Sequence, residues 1–231
     1  MGYVLILGSN SDIGKVLAEK YASNGYNLLL ADADAEKLEE ISQYLAETYE
    51  IDVQASKFNV LEFYTHRNFY KNLDLKPMGV IFAVDYVGDQ KRAQRDFLEA
   101  KKIIDINYTG LVSILNIAAN DFEERKEGFI AGIGNIVGKN NKQDFYTYYS
   151  AKQGFTSHLE GIKNRLSDSN VQVLVVNPGF VHTESTKNIE IKGKLGLIPG
   201  DVAENLFDAQ QQGKDFTTGK NLLQKILPFG K

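Results

Sequence analysis

The sequence predicts an α/β fold: one doubly wound, mostly parallel, Rossmann-like sheet with helices on both faces, in a single domain spanning residues 1–231. Three observations carry this. Short apolar runs alternate with amphipathic stretches six times, as in successive β-α-β crossovers. Several of those runs are apolar at consecutive positions, as in strands buried on both faces. No internal repeat, low-complexity tract or Pro/Gly/Ser-rich linker breaks the series.

Composition narrows the function. A hydrophobic fraction of 43% is ample for a core. A formal net charge of −4 and a pI near 5.5 argue against a nucleic-acid binder, which is usually basic. With no Cys and three scattered His, neither a thiolate site nor a His-rich metal site is expected, and a reducing compartment fits. The start, Met1 to Leu7, lacks a basic leader and reads as a first strand. No run reaches the ~18 apolar residues of a membrane span. A cytoplasmic protein is the expectation.

Tyr3 to Leu7 is the first strand, followed by Gly8-Ser9-Asn10-Ser11-Asp12-Ile13-Gly14 and a helix to about Ser23. Ile13, Val16, Leu17 and Tyr21 give that helix its apolar spacing. A glycine-bearing turn between a buried strand and a helix can cradle phosphates, because backbone N–H groups and the helix N-terminus converge there. An ordinary strand-to-helix turn is the alternative. Asn27 to Ala31 is the second strand, and Asp32 follows it, eighteen residues after Gly14. A carboxylate there can accept hydrogen bonds from both adenosine ribose hydroxyls and would repel a 2′-phosphate. Asp32 or Asp34 can instead cap the helix that begins near Ala35 and runs to about Tyr49.

Val53 to Phe58 is the third strand, with Asn59 beyond it, where its side chain can touch an adenine edge. A helix follows from about Leu61 to Asn72, then the fourth strand, Gly79 to Val84, ending at Asp85. Asp89 to about Asp121 reads as a long helical region broken near Lys101 or Lys102, with Asn107 in its second half. Gly128 to Val137 is a Gly-rich fifth strand and Val171 to Val176 the sixth. Asn177-Pro178-Gly179 ends the sixth, with Thr183 four residues on. Residues 184–198 have little periodicity and read as a mobile segment on the substrate side. A short helix, about Asp201 to Gln211, and a C-terminal stretch complete the chain.

The chemistry centres on Tyr148 and Lys152, which share a helix face one turn apart. A nearby ammonium favours the phenolate, and a tuned phenol can exchange a proton with a carbinol oxygen while hydride moves at the carbon. In a chain with 12 Tyr the spacing alone is weak, and by itself it is better explained by a half-buried Tyr beside a solvated Lys.

Assembled in order, these residues resemble the classical short-chain dehydrogenase/reductase family along nearly the whole chain. The resemblance rests on the Gly8–Gly14 loop, Asp32, Ile106-Asn107-Tyr108-Thr109-Gly110, the Tyr148–Lys152 pair and Pro178-Gly179-Phe180-Val181 with Thr183. It implies Tyr148 as acid/base and Lys152 as its tuner and ribose ligand. It implies Asn107 as holder of a water chain to Lys152. It implies contacts to NAD, with NADP less expected, from Gly8, Ser9, Asn10, Ser11, Asp12, Ile13, Gly14, Asp32, Asn59, Val60, Ala83, Val84, Tyr148, Lys152, Pro178, Gly179, Val181 and Thr183. It also implies a homodimer or homotetramer paired through the helices carrying Asn107 and Tyr148. A narrower resemblance, on Gly88-Asp89-Gln90, residues 106–109 and 130–183, is to reductases of polyprenyl-linked or other cell-envelope sugars, such as the reductase subunit of decaprenylphosphoryl-ribose epimerisation.

Two departures from the family pattern matter, besides a loop variation that the family's Ser-Asp-Ile-Gly form tolerates. Asp12 replaces the middle glycine of the loop. Asn135 stands at the catalytic Ser position, where its amide would donate to the substrate oxygen but cannot relay a proton. Asp85 stands where the family has Gly, and as a buried carboxylate it would need a hydrogen bond or a proton. A cofactor-binding sensor or interaction protein that lost catalysis with its Ser therefore stays open beside the enzyme. The substrate class is a secondary alcohol or ketone, a sugar or lipid-linked sugar among them. Leu222, Leu223, Ile226, Leu227 and Phe229, interleaved with Lys220, Lys225 and Lys231, form a stripe that packs on protein or rests weakly on an anionic membrane.

Overall fold

Among the described residues, seven strands build one sheet in the order β3-β2-β1-β4-β5-β6-β7, and every neighbouring pair is parallel. The computed structural model describes residues 1–134, 145–187 and 196–218. The strands are β1 (Tyr3–Leu7), β2 (Asn27–Asp32), β3 (Val53–Lys57), β4 (Gly79–Phe82), β5 (Phe129–Ile133), β6 (Gln172–Asn177) and β7 (Phe216–Thr218). The helices are α1 (Asp12–Ala22), α2 (Ala35–Tyr49), α3 (His66–Lys71), α4 (Gln90–Ala93), α5 (Phe97–Ile104), α6 (Gly110–Arg125), α7 (Tyr146–Arg165) and α8 (Pro199–Gln211).

The period-2 pleat of each strand splits the core in two. Val4 and Ile6 of β1 pack with Leu17, Tyr21, Leu38 and Leu206 from α1, α2 and α8. Leu5 and Leu7 face the other way, toward Leu111, Leu115, Phe155 and Leu159 from α6 and α7. Both layers are fully buried, which explains why the strands are apolar at consecutive positions. The chain winds from β1 outward to β3, then returns to place β4 on the other side of β1. That reversal opens a crevice beyond the carboxyl ends of β1 and β4, where such sheets bind ligands.

The predicted fold class and the six predicted strands are observed. The seventh strand has only three residues and no periodicity to announce it. The helical region after Asp89 does not break at Lys101 or Lys102. It stops at Ala93, restarts at Phe97 and widens into a π-turn over Asp105–Thr109. Asp96, not an interior lysine, sets the restart: its carboxylate accepts the Leu98 N–H at 2.9 Å and caps α5. The helix predicted over Leu61–Asn72 is a 3₁₀ turn, Phe63–Thr65, followed by α3. Of segment 184–198, Glu184–Thr186 forms a 3₁₀ turn and Leu197 pairs with Val181. Residues 188–195, Asn135 and the stripe at 220–231 lie outside the described residues.

Candidate active site

The loop after β1 is built for close approach. Gly8 has φ +87°, and a Cβ there would meet the Val84 nitrogen at 2.6 Å. A Cβ on Gly14 would meet the Gly8 carbonyl at 2.1 Å, so α1 starts directly against the loop. Ser11 caps α1 by accepting the Gly14 N–H at 3.0 Å, and its hydroxyl lies 3.2 Å from the Ala83 carbonyl. Ser9 is fully buried: its hydroxyl donates to the Ile6 carbonyl at 2.6 Å and accepts the Ala31 N–H at 3.1 Å. Ile13 packs on the α1 side of the core. Asp12 accepts the Glu184 N–H at 2.6 Å, which ties the loop to the turn after Thr183.

Asp32 lies at the adenosine end. Its two oxygens accept the Asn10 N–H at 3.1 Å and the Ala33 N–H at 2.8 Å. Asp34, not Asp32, is the N-cap of α2, and its bonds to Lys37 hold the carboxyl below the usual range. Asp32 thus leaves the capping to its neighbour and turns toward the loop. Asn59 is committed locally: it donates to Glu62 at 2.9 Å and accepts the Leu61 N–H at 3.1 Å. Val60 beside it is buried against Gly110.

Tyr148 and Lys152 sit on the first turns of α7 and converge on one atom. The Tyr148 hydroxyl donates to Asp85 Oδ1 at 2.7 Å, and Lys152 Nζ lies 3.4 Å from the same oxygen. The two functional atoms are therefore within about 6 Å of each other. The Lys152 side chain is only 2% exposed and that of Asp85 26%, so Asp85 is not the buried carboxylate the sequence suggested. The start of α7 has no side-chain cap of its own; Gln90, from α4, accepts the Thr147 N–H at 2.8 Å.

The loop carrying Asp85 is clamped from two sides. Asn107, wholly buried in the π-turn, accepts the Tyr86 N–H at 3.2 Å and donates to the carbonyls of Tyr86 at 2.6 Å and Ile103 at 2.9 Å. Glu99, 5% exposed, accepts the Tyr86 hydroxyl at 3.0 Å and the Asp89 N–H at 3.1 Å. Burial and the bond to Glu99 push the Tyr86 phenol up from its ordinary range. A cavity of about 400 Å³ opens here, lined by Asp85, Tyr86, Asp89, Arg92, Glu99 and Ser185 among others.

A nicotinamide dinucleotide fits the residues present. Asn10 Oδ1 and Asn177 Oδ1, both at the carboxyl edge of the sheet, are buried with no hydrogen-bond partner among the described residues. The cradle at Gly8 and Gly14 is one that a side chain would fill. The sequence profile of the short chain dehydrogenase family matches residues 2–193. The chain belongs to the short-chain dehydrogenase/reductase family.

Among similar proteins, an uncharacterised oxidoreductase of Mycobacterium tuberculosis is 28% identical over 214 residues, covering 91% of this chain and 85% of the relative. A 3-oxoacyl-[acyl-carrier-protein] reductase of Aquifex aeolicus is 24% identical, covering 82% and 79%. Among solved structures, a short-chain dehydrogenase from Sphingobium yanoikuyae in complex with NADPH superposes with a TM-score of 0.86 at 20% identity, over 95% of this chain and 88% of that one. A bulky-bulky ketone specific alcohol dehydrogenase from Comamonas testosteroni gives 0.83 at 16%, over 98% and 92%. At these identities the structures speak for the fold.

Two of the residues named from the sequence are held by local bonds. Among the described residues, the Asn107 side chain bonds to backbone of the Asp85 loop and of α5. The Asn59 amide is held in its own turn by Glu62 and Leu61. Pro178 and Gly179, with φ +78° at the glycine, follow β6. Val181 bridges to Leu197, and Thr183 bonds to the Ser185 and Thr186 hydroxyls at 2.9 and 3.1 Å. Glu99 and Ser185 escaped the sequence reading, and Gln90 entered it only through the narrower resemblance, since each reaches the site from a segment whose local pattern signals nothing but a helix or turn. Among the described residues no cluster of three His, Cys, Asp or Glu can hold a metal, and no helix is long and apolar enough to cross a membrane.

Proposed function

We propose that this oxidoreductase exchanges hydride between NAD(H) and a secondary alcohol or its ketone, with Tyr148 as the acid/base. The observation that carries this reading is the meeting of the Tyr148 hydroxyl and the buried Lys152 ammonium on one oxygen at the carboxyl edge of the sheet. The cofactor, when bound, supplies or removes the hydride. The Gly8–Gly14 loop, Asp32 and the segment Pro178 to Thr183 would hold it. Tyr148 hands its proton to the carbonyl oxygen in reduction and takes it back in oxidation. Lys152 favours the charged phenolate that reduction leaves behind. The charged and hydroxyl side chains among the cavity's lining residues support a hydroxylated substrate, a sugar or lipid-linked sugar among the candidates. Turnover of NADH with a panel of hydroxylated ketones tests the reading. NAD(H) binding with no turnover across the panel would favour a sensor instead.

Asp32 supports a preference for NAD(H). Its carboxylate is fixed by two backbone N–H groups, so it cannot easily swing from a 2′-phosphate. Like charges brought together cost several kcal/mol when desolvated, so NADPH is expected to bind at least about tenfold more weakly than NADH. Asp32→Ala should narrow that gap. Calorimetric titration of both cofactors decides; tighter NADPH binding by the unaltered protein would refute the assignment.

The helices beside the site support a twofold homodimer or homotetramer. Phe97 and Leu98 on α5 are 72% and 71% exposed, and Tyr146, at the start of α7, is 44% exposed. Apolar side chains this open, on helices that pack together, suit a subunit interface. Light scattering at micromolar concentration should return at least twice the chain mass. A monomer would count against it.

A further inference from the structure

We propose that Asp85 is a third member of the proton-transfer group: its carboxylate keeps the Tyr148 phenol in the protonated, donating form and offsets the charge of Lys152. The proposal rests on the alcohol/ketone reading of the site and adds to it what sets the balance between the two directions.

The argument begins with a shared atom. Asp85 Oδ1 accepts the phenol at 2.7 Å and faces the Lys152 ammonium at 3.4 Å. An ammonium alone favours the phenolate, whereas a carboxylate that accepts the phenol's hydrogen favours the phenol. With both on Tyr148, the field of Lys152 is partly cancelled where the proton resides. Asp85 is also delivered by a rigid backbone. Asn107 holds both backbone groups of the next residue, Tyr86, and Glu99 holds the Tyr86 hydroxyl and the Asp89 N–H. A loop pinned at four atoms presents its carboxylate in one place. The side chain is 26% exposed, so a substrate entering the cavity would strip water from it and strengthen its effect.

The other ionisable groups lining the cavity are Tyr86, Asp89, Arg92 and Glu99. Arg92 is paired with Asp96 at 3.2 Å and lies 3.9 Å from Glu99, and Asp89 caps α4 through the Arg92 N–H. Tyr149 lies beside the Tyr148 ring, tilted at 58° with centroids 5.5 Å apart. Among the described residues, Asp85 is the carboxylate bonded to the phenol. Reduction breaks the Tyr148 O–H bond and sends that proton to the carbonyl oxygen, while the hydride forms the new C–H bond. Oxidation needs the phenolate. Asp85 therefore extends reduction to higher pH and shifts oxidation to more alkaline pH.

The test compares the ligand-free protein with Asp85→Asn, which keeps the shape and an acceptor oxygen but removes the charge. Tyrosinate absorbance is followed against pH, each protein minus its Tyr148→Phe counterpart, so that only the Tyr148 phenol is read. The midpoint in Asp85→Asn should fall by on the order of one pH unit. The alkaline limb of ketone reduction should fall in the same sense, and oxidation should begin at lower pH. Asp85→Ser, also short and uncharged, serves as the second variant. Coincident midpoints, or a rate loss with an unshifted profile, would overturn the proposal. If the unaltered protein turns over no alcohol or ketone, the functional reading fails, and the ligand-free titration still decides the role of Asp85.

Discussion

Tyr148→Phe is expected to lower turnover by about 10²- to 10⁴-fold, the usual contribution of a positioned acid/base. The substitution removes one hydroxyl and leaves the ring against Tyr149. Lys152 keeps its partner Asp85, so the buried ammonium is not stranded. NADH affinity should change only a few-fold, and the denaturation midpoint very little. Lys152→Ala differs. It removes a side chain that is 2% exposed and strips Asp85 of its counter-charge, so both turnover and cofactor binding should suffer. Steady-state kinetics paired with a cofactor titration separates the two variants. Full turnover by Tyr148→Phe would remove Tyr148 from the chemistry.

Asn107→Ala is expected to cost on the order of 3 kcal/mol of stability, because three hydrogen bonds disappear from a wholly buried position. The substitution leaves the Tyr86 N–H and carbonyl and the Ile103 carbonyl to find other partners. Asn107→Asp should do no better, since a carboxylate only accepts and two of the three partners are carbonyls. The functional loss should exceed the stability loss, because Tyr86 is the residue next to Asp85 and the loop would lose one of its two clamps. Urea denaturation measures the first effect and kcat, with the protein shown to be folded, the second. A near-neutral Asn107→Ala would show that the clamp does not hold the loop.

Residue pattern alone was enough for most of the architecture. A strand buried on both faces must be apolar at consecutive positions, so Val4 to Leu7, Leu28 to Ala31 and Val80 to Phe82 were visible as strands. The loop from Gly8 to Gly14 was visible because only a residue without a Cβ can pass so close to Val84 and Gly8. Tyr148 and Lys152 were visible as a pair because they lie one helical turn apart, a spacing that needs no tertiary information. The break in the helical region was misplaced because the Asp96 cap and the π-turn carry weaker signals than the lysines around them.

The sequence by itself determined the alternation of strands and helices, the glycine loop and the Tyr148–Lys152 pair, since each is written in spacings of a few residues. Only the tertiary structure decided what Asp85 and Asn107 do. Asp85 meets Tyr148 across 63 residues of chain, and Asn107 meets Tyr86 across 21. Those contacts exist because β4 returns beside β1 and the π-turn swings Asn107 under the loop that follows. No local periodicity encodes a partner chosen by a crossover, so the charge balance at the phenol became legible only once the sheet was wound.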